Sequence, residues 1–277
     1  MKLKKIFLAL GLGICIMMTG CAGAQSTSTS SSNNSSSGGS SEAKEIQAIK
    51  DRGVLKVGVK VDVPKYGYKN PQTGQVEGLE IDISKAIAKK ILGDENKVEF
   101  QGVTAKTRGP LLDNGEIDMV AATFTITDER KKSYNFSDPY IKDGVGLLVK
   151  KSLGASSLKD LNGKTIGVAQ SATTKDALQK EAESQGITLK FSELAGYPEL
   201  KAALDSGRID CFAVDASILN GYVDDSTVIL DDRYDPQEYG IASKKDNTEL
   251  AKVINEVIDD MKSSGELDKL IAKWDIK

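Results

Sequence analysis

The sequence contains no histidine among its 277 residues and only three cysteines. Without an imidazole, the chain can use histidine neither for acid–base catalysis nor as a metal ligand. The cysteines form no CxxC pair, and Cys211 is the only one beyond residue 21. We therefore expect no disulfide, no metal site and no cofactor. We expect Cys211 to be a small buried core residue.

Basic tracts and phosphate-binding loops are also missing. The full chain has a formal net charge of −3, and removing the three lysines among the first five residues leaves −6. Gly163-Lys164-Thr165 resembles the end of a phosphate loop, but Leu158 stands where the earlier glycine is required, and the motif precedes a strand instead of following one. Nucleic acid is therefore not expected as a partner.

The first residues predict a signal peptide. Three lysines precede an apolar stretch, residues 6–18, that is too short to span a bilayer as a mature helix. Met18-Thr19-Gly20-Cys21 then resembles the bacterial lipoprotein box, although leucine is usual where Met18 stands. We expect residues 1–20 to be removed and Cys21 to carry a lipid. An ordinary secretory signal, cleaved elsewhere, is the alternative.

A polar tract follows the predicted lipid attachment site. Ser26 to Ser41 is almost entirely Ser, Thr, Asn and Gly, which leaves nothing to bury and predicts a flexible tether over residues 21–44. The body from about Glu45 is long enough for two compact lobes. The sequence therefore predicts a monomer held by a lipid anchor at the extracytoplasmic face of the cell membrane.

One phrase occurs twice in the body. Leu112–Asp118 reads LDNGEID and Leu204–Asp210 reads LDSGRID, and the two glycines, Gly115 and Gly207, are offset by 92 residues. Each copy predicts a helix end closed by a left-handed glycine, followed by an apolar strand. A chance match is the alternative, because such joints are common.

The residues after the two predicted strands differ in charge. Thr123, Thr125 and Arg130 follow the first copy, and Asp215 follows the second. In open α/β sheets, ligands bind beyond the carboxyl ends of the strands. A cation with hydroxyls on one lobe and a carboxylate on the other would suit a zwitterion held between them.

Arg130 occupies a position in its helix that is unfavourable for a cation. It lies in the first turn of a helix that Thr127 is expected to cap, where a cation opposes the helix dipole by about 0.3–1 kcal/mol. A guanidinium beside free helix N–H groups is a strong receptor for a carboxylate. The alternative is a surface pair with Asp128 or Glu129. Asp215 likewise either caps the helix that follows it or accepts an ammonium group.

The alternation of apolar segments predicts an α/β fold with parallel sheets. The predicted strands are 54–59, 97–100, 119–122, 145–149, 165–169, 189–191, 211–214 and 239–242. The predicted helices are 79–91, 109–114, 174–184, 199–205 and an apolar pair after residue 249. Residues 66–78 and 134–139 read as turns, and one residue of Gln170–Thr174 is expected to cap the helix that follows.

Residues 45–277 closely resemble the polar amino-acid solute-binding proteins (family 3) of ABC importers. The most specific stretches are TITDERKK at Thr125–Lys132 and YNFSDPY at Tyr134–Tyr140, supported by residues 78–83, 164–174 and 239–242. The resemblance implies a two-lobed type II periplasmic-binding fold that closes on its ligand, without catalysis. The lobes would be 45–140 plus 241–277, and 141–240. The partners would be a permease and its ATPase.

The resemblance also implies roles for individual residues. The α-carboxylate site would comprise Arg130, the Thr125 hydroxyl, backbone N–H groups near Thr123 and Thr125, Ser171 and Thr174. Asp215 would accept the α-ammonium group.

The predicted specificity depends on departures from the family pattern. Many members carry aromatic walls at two positions that are Val63 and Ala105 here, while Lys60 and Arg108 flank them. Two added cations predict an acidic side chain, and the surroundings of Arg108 and Tyr197 resemble the aspartate/glutamate-binding members. A binder of glutamine or asparagine is the alternative. A fold-related enzyme and a surface adhesin are further alternatives.

Overall fold

A computed structural model describes residues 39–276 of the chain. The strands are β1 (Leu55–Val59), β2 (Asp62–Val63), β3 (Gly67–Lys69), β4 (Val76–Glu77), β5 (Val98–Gly102), β6 (Met119–Ala121), β7 (Tyr134–Phe136), β8 (Ile141–Lys150), β9 (Thr165–Ala169), β10 (Lys190–Leu194), β11 (Cys211–Asp215), β12 (Thr227–Ile229), β13 (Tyr234–Tyr239) and β14 (Ala242–Lys244). The α-helices are α1 (Gly39–Arg52), α2 (Leu79–Leu92), α3 (Arg108–Asp113), α4 (Asp128–Ser133), α5 (Thr174–Gln185), α6 (Tyr197–Asp205), α7 (Ala216–Leu219), α8 (Thr248–Ser263) and α9 (Glu266–Lys273).

The first sheet has the strand order β5-β1-β6-β14-β7. β1 pairs in parallel with β5 and β6, and β14 runs antiparallel to β6 and β7. Helix α2 packs against this sheet and buries Ile83, Ile87 and Ile91, as their spacing predicts. The helix ends at Gly93, whose φ of 75° is the left-handed conformation expected of a helix-closing glycine.

The second sheet has the strand order β10-β9-β11-β8-β12, and β13 also pairs with β8. β9 lies parallel to β10 and β11, whereas β8 runs antiparallel to its partners. Cys211 in β11 is a free, buried cysteine, as predicted. The α/β architecture, with helices flanking two sheets, is therefore confirmed.

The chain passes between the two sheets twice. It leaves the first after β7 and enters the second at β8, then returns between β13 and β14. The lobe boundaries at 140/141 and 240/241 stay predictions. None of the helices within residues 39–276 is both long and apolar enough to cross a membrane.

The doubled phrase forms the same joint in both sheets. Gly115 and Gly207 have φ of 74° and 73°, each just past the end of a helix. The aspartate that closes each copy accepts a backbone N–H from the neighbouring strand. Asp118 binds Lys56 N and Asp210 binds Thr165 N, both at 2.8 Å. In both copies, the closing aspartate therefore connects the helix–turn–strand joint to the neighbouring strand by a hydrogen bond.

Several sequence predictions of local structure are wrong. Residues 66–78 contain part of a small antiparallel sheet, β2-β3-β4, and residues 134–136 form strand β7. The strand predicted over 239–242 is divided, since Tyr239 ends β13 and Ala242 begins β14 in the other sheet.

The N-terminal boundary of the fold also differs from the prediction. Helix α1 begins at Gly39, so it includes the last six residues of the predicted tether. Ile49 of this helix is buried in the core that also holds Ile83 and Ile87. The signal peptide, Cys21 and the remainder of the tether lie outside the described residues.

Candidate ligand-binding site

The predicted site residues lie at the carboxyl ends of parallel strands from both sheets. Lys60 directly follows β1, and Thr123 lies two residues beyond β6. In the second sheet, Ser171 lies two residues beyond β9, and Asp215 is the last residue of β11. This is the edge at which open α/β sheets bind ligands. The Arg130 side chain joins the two sets, because its Nη2 lies 3.4 Å from the Ser171 carbonyl oxygen.

Two non-glycine residues of this edge have a left-handed backbone. Thr123 has φ of 44° and Ser171 has φ of 62°, and they occupy corresponding positions after β6 and β9. A β-branched residue rarely adopts this conformation, so Thr123 is a strained position. Strain of this kind clusters at ligand sites.

Arg130 does not form the surface pair that was its alternative. Its backbone N–H donates to the Thr127 hydroxyl at 3.1 Å, which confirms the predicted cap. Its Nη1 donates to the Thr125 carbonyl at 2.8 Å. Asp128 and Glu129 pair instead with neighbouring lysines of α4. The guanidinium is therefore directed toward the strand ends.

Arg108 and Arg130 both lie close to the same aromatic ring. The Cζ atoms of Arg108 and Arg130 lie 3.9 and 4.7 Å from the centre of the Phe124 ring. Arg108 is 4% exposed, and its Nη1 donates to the carbonyls of Ala122 and Thr123 at 2.7 and 3.2 Å. Burial lowers the pKa of both guanidiniums, and their mutual repulsion lowers that of Arg130 further. The ring and the carbonyls together hold two cations close to each other.

Lys60 is fully buried and has a partner. Its Nζ lies 3.0 Å from Asp62 Oδ1 and 4.5 Å from the centre of the Tyr197 ring. Burial lowers the pKa of Lys60, and the adjacent Asp62 opposes that shift. Val63, predicted to stand at a wall position, is itself buried in the core. Aromatic faces reach the cations from Phe124 and Tyr197 instead.

Asp215 does not cap the helix that follows it. Its side chain makes no capping hydrogen bond, and the Ser217 N–H of α7 donates to Asp143 at 3.0 Å. The Tyr239 hydroxyl donates to Asp215 Oδ2. Burial raises the pKa of Asp215 to about 7, with the Tyr239 hydrogen bond opposing the shift and Asp143 adding to it. The Asp215 carboxylate therefore does not cap α7, which is the commoner role of an aspartate that follows a strand.

Thr125 and Thr174 are also buried, at 6% and 1% exposure. Thr174 is the first residue of α5, and its hydroxyl makes no hydrogen bond to the other predicted site residues within the described part of the chain. No side-chain cap forms at this helix start, contrary to expectation, because the Thr173 hydroxyl donates to Gln237 at 2.9 Å.

Sequence reasoning missed Glu80, a fully buried carboxylate in the first turn of α2. The Thr123 N–H donates to its Oε1 at 2.5 Å, and the Tyr140 hydroxyl donates to the same atom. Burial raises the pKa of Glu80, whereas these donors and the charges of Arg108 and Lys60 lower it. Glu80 therefore supports the strained backbone of Thr123 and lies beside two cations.

Carboxylates accompany the cations of the site. Three buried or half-buried cations (Lys60, Arg108 and Arg130) share the cluster with three carboxylates (Asp62, Glu80 and Asp215). The prediction of an acidic ligand counted the three cations against Asp215 alone. Because Asp62 and Glu80 face the same cations, that count is incomplete, and a net negative ligand is not required for neutrality.

Four buried polar atoms of the cluster have no hydrogen-bond partner within the described residues. They are Arg108 Nε, Thr123 Oγ1, Glu80 Oε2 and Asp62 Oδ1, the last of which lies 3.0 Å from Lys60 Nζ in an ion pair. Buried polar atoms are nearly always paired, because each unpaired one costs about 1–3 kcal/mol. At this edge of the sheets, the donor Arg108 Nε, the Thr123 hydroxyl and the acceptor Glu80 Oε2 are thus available to hydrogen-bond a polar group of a ligand.

The chain matches a known protein family and is similar in sequence to several known proteins. Residues 55–276 match the family described as bacterial extracellular solute-binding proteins, family 3. The chain is 41% identical over 254 residues to a glutamine-binding protein of Geobacillus stearothermophilus, covering 90% of this chain and 95% of that one. It is 40% identical over 279 residues to the ABC transporter glutamine-binding protein GlnH of Bacillus subtilis, covering 98% and 97%.

The chain is also similar to amino-acid-binding proteins whose structures have been solved. An ancestral arginine-binding protein, determined with arginine and with glutamine, is 38% identical to the chain with a TM-score of 0.72. The similarity covers 80% of this chain and 98% of the ancestral protein. The two-lobed type II periplasmic-binding fold implied by the sequence motifs is therefore confirmed.

Proposed function

Because the chain belongs to family 3 of the bacterial extracellular solute-binding proteins, we propose that it binds glutamine and delivers it to the permease and ATPase of an ABC importer. Relatives at 41% and 40% identity are named for glutamine binding. The observation that carries the proposal is the cluster of cations and carboxylates, in which a donor and an acceptor, Arg108 Nε and Glu80 Oε2, have no partner among the described residues. A neutral side chain with both kinds of group suits it.

The amino-acid backbone of the ligand would lie between Arg130 and Asp215. The Arg130 fork, with the Thr125 and Ser171 segments that it already contacts, would hold the α-carboxylate. Asp215 would accept the α-ammonium group. The buried start of α5 at Thr174 would complete the carboxylate site from the second sheet.

The side chain of the ligand would then face Lys60, Arg108 and Tyr197. An amide carbonyl can accept from Arg108 Nε, and an amide NH₂ can donate to Glu80 Oε2. A glutamate carboxylate offers acceptors only. Its negative charge would also lie near the carboxylates of Glu80 and Asp62.

Glutamate or aspartate is the second candidate. Arg108 Nε is a buried charged donor that has no partner among residues 39–276, and a carboxylate would satisfy it. Lys60 and Arg108 would then both read the side chain, as the sequence predicted. This reading requires Glu80 to be protonated or turned away from the ligand.

Calorimetric titration of the full chain with a panel of amino acids tests the proposal. We expect glutamine to bind with micromolar affinity or better, which requires about 8 kcal/mol. We also expect glutamine to bind at least about tenfold more tightly than glutamate, aspartate or arginine. Tighter binding of glutamate or aspartate would establish the second candidate instead. Binding of none of the panel, with the fold intact, would reject an amino-acid ligand.

Matched variants show where the ligand binds. Arg130→Ala removes the proposed carboxylate receptor and should abolish measurable binding of every amino acid. Arg208→Ala removes an exposed arginine from the second copy of the repeat and should leave binding unchanged. Equal affinities for the two variants would place the ligand elsewhere.

We also propose that Cys21 carries the lipid that holds the protein at the extracytoplasmic face of the membrane. This proposal depends on the sequence, since residues 1–38 lie outside those described. Incorporation of a labelled fatty acid by the full chain, and its loss in Cys21→Ser, tests it. Equal labelling of both proteins would reject the attachment site.

A further inference from the structure

Glu80 is a buried carboxylate beside the cations of the site, although it does not stand at a strand end. It lies in the first turn of α2, and its side chain is fully buried. The Thr123 N–H and the Tyr140 hydroxyl both donate to Oε1. The second oxygen, Oε2, is buried and has no partner among the described residues. The carboxyl group is thus fixed through one oxygen, with the other available.

Burial raises the pKa of Glu80, whereas its two hydrogen-bond donors and the charges of Arg108 and Lys60 oppose that shift. Both donors bind Oε1, so a proton on this carboxyl group would lie on Oε2, and only the ionised form presents Oε2 as an acceptor. Arg108 and Lys60 act on Glu80 as cations, and Arg108 Nε is itself an unpaired donor. An ionised Glu80 offers only acceptors to its surroundings. A ligand group near Oε2 of the ionised carboxylate must therefore donate a hydrogen bond and must not be negatively charged.

We propose that Glu80 is a specificity-determining residue of the binding site, which accepts a hydrogen bond from the ligand's side-chain amide through Oε2 and repels a carboxylate at the same place. The inference rests on the proposed binding of glutamine and goes beyond it by naming the residue that selects amide over acid. It also gives the α2 helix a direct part in ligand recognition. Arg108 would read the carbonyl oxygen of the same amide.

The first experiment compares the full chain with its Glu80→Gln variant. A glutamine side chain can keep its carbonyl toward Thr123 and Tyr140 while it presents an NH₂ group in place of Oε2. We expect the ratio of glutamate affinity to glutamine affinity to rise by about 10- to 100-fold, because a like charge is removed and an acceptor becomes a donor. Calorimetry with both ligands measures the ratio, and circular dichroism checks the fold.

The control is Glu99→Gln, which makes the same substitution on an exposed position of β5 in the same sheet. The ratio should remain at its original value in this variant. An equal change in both variants would show that general charge, and not the position of Glu80, sets the preference. An unchanged ratio in a folded Glu80→Gln variant would overturn the proposal while leaving glutamine binding in place.

A second experiment needs no substitution, so it decides the matter even if Glu80→Gln does not fold. The unaltered chain is titrated with N-γ-methylglutamine and with the γ-methyl ester of glutamate. Both ligands are neutral and similar in size, but only the amide retains an N–H donor. We expect the amide to bind at least about tenfold more tightly, since the ester leaves Oε2 unpaired. Equal or tighter binding of the ester would overturn the proposal.

The two proposals fail in different ways. If the unaltered chain prefers glutamate to glutamine, both the glutamine assignment and the role of Glu80 are wrong. If it prefers glutamine but accepts the ester as well as the amide, only the role of Glu80 is wrong.

Discussion

Asp215 must be ionised to hold an ammonium group, yet its surroundings favour the protonated form. Burial raises its folded-state pKa to about 7, against an ordinary value of 3.8. The folded protein therefore keeps a proton that the unfolded chain releases at lower pH. The stability that this proton provides is present below pH 3.8 and is lost as the pH rises through 7.

Replacement of Asp215 by asparagine should thus stabilise the ligand-free protein at alkaline pH. We expect Asp215→Asn to raise the free energy of unfolding at pH 8 by an amount on the order of 2 kcal/mol, with little change at pH 4. The same variant should lose amino-acid binding. Thermal unfolding at both pH values checks this, with Asp225→Asn, a change at an exposed position, as the control. A variant no more stable than the original chain at pH 8 would contradict the assigned pKa.

The residues that sequence reasoning missed carried a usable signal. Glu80 and Ser84 share a helical stripe with Ile87 and Ile91, at spacings of four, three and four residues, and all four are buried. A glutamate on an apolar stripe is rarely buried without a partner. Its partners were not predictable, because Thr123 and Tyr140 are distant in sequence. Arg130 could be predicted because Thr127 and the flanking acids defined its helix locally.

At the scale of elements, the repeated LDxGxID motif stabilises the joint between a helix and the strand that follows it. Asp210 accepts the Thr165 N–H at 2.8 Å and so connects the joint after α6 to strand β9. Removing the acceptor leaves a backbone donor of a sheet unpaired.

Asp210→Ala should therefore lower the free energy of unfolding by about 1–3 kcal/mol. Asp210→Asn retains a side-chain oxygen that can accept the same N–H, so we expect a clearly smaller loss. Urea denaturation of the full chain measures both. If the two substitutions cost the same, the charge of Asp210 and not its hydrogen bond is what stabilises the joint.

Long elements could be predicted and short ones could not. Helix α2 and strand β9 carry enough apolar residues for a clear period, and the structure places them close to their predicted bounds. β2 and β4 have only two residues each, which is too few for any pattern. β13 contains Pro236 and, at Asp235, a positive φ of 44°, and its pairing with β8 shifts register there. These features interrupt the alternation on which strand prediction depends.

At the scale of the whole molecule, side chains from the segment that forms the first sheet contact side chains from the segment that forms the second sheet. The Tyr66 hydroxyl lies 2.9 Å from Ser217 Oγ, and Tyr239 packs edge-on to Tyr66 at 5.9 Å between ring centres. Tyr222 donates its hydroxyl to the Asp62 carbonyl. The motifs predicted two lobes around a cleft. They could not predict these contacts, which depend on how the lobes meet.

The Tyr222–Asp62 hydrogen bond offers a test of cleft closure, because neither atom has a proposed role in holding the ligand. Tyr222→Phe removes the hydroxyl but retains the ring, which packs against Phe212 and Tyr197. If the contact stabilises a closed cleft, the ligand should dissociate about 2- to 10-fold faster, with the association rate little changed. Stopped-flow measurement of both rates checks this.

Tyr234→Phe is the matched control. It removes a tyrosine hydrogen bond to Asp232 that lies within the second sheet's own segment and does not cross the site. Both substitutions remove one hydroxyl, and a general loss of stability should affect them alike. Only Tyr222→Phe should accelerate dissociation, since only that hydroxyl joins the two sides of the proposed cleft. Equal dissociation rates in the two variants would show that the contact does not hold the cleft closed.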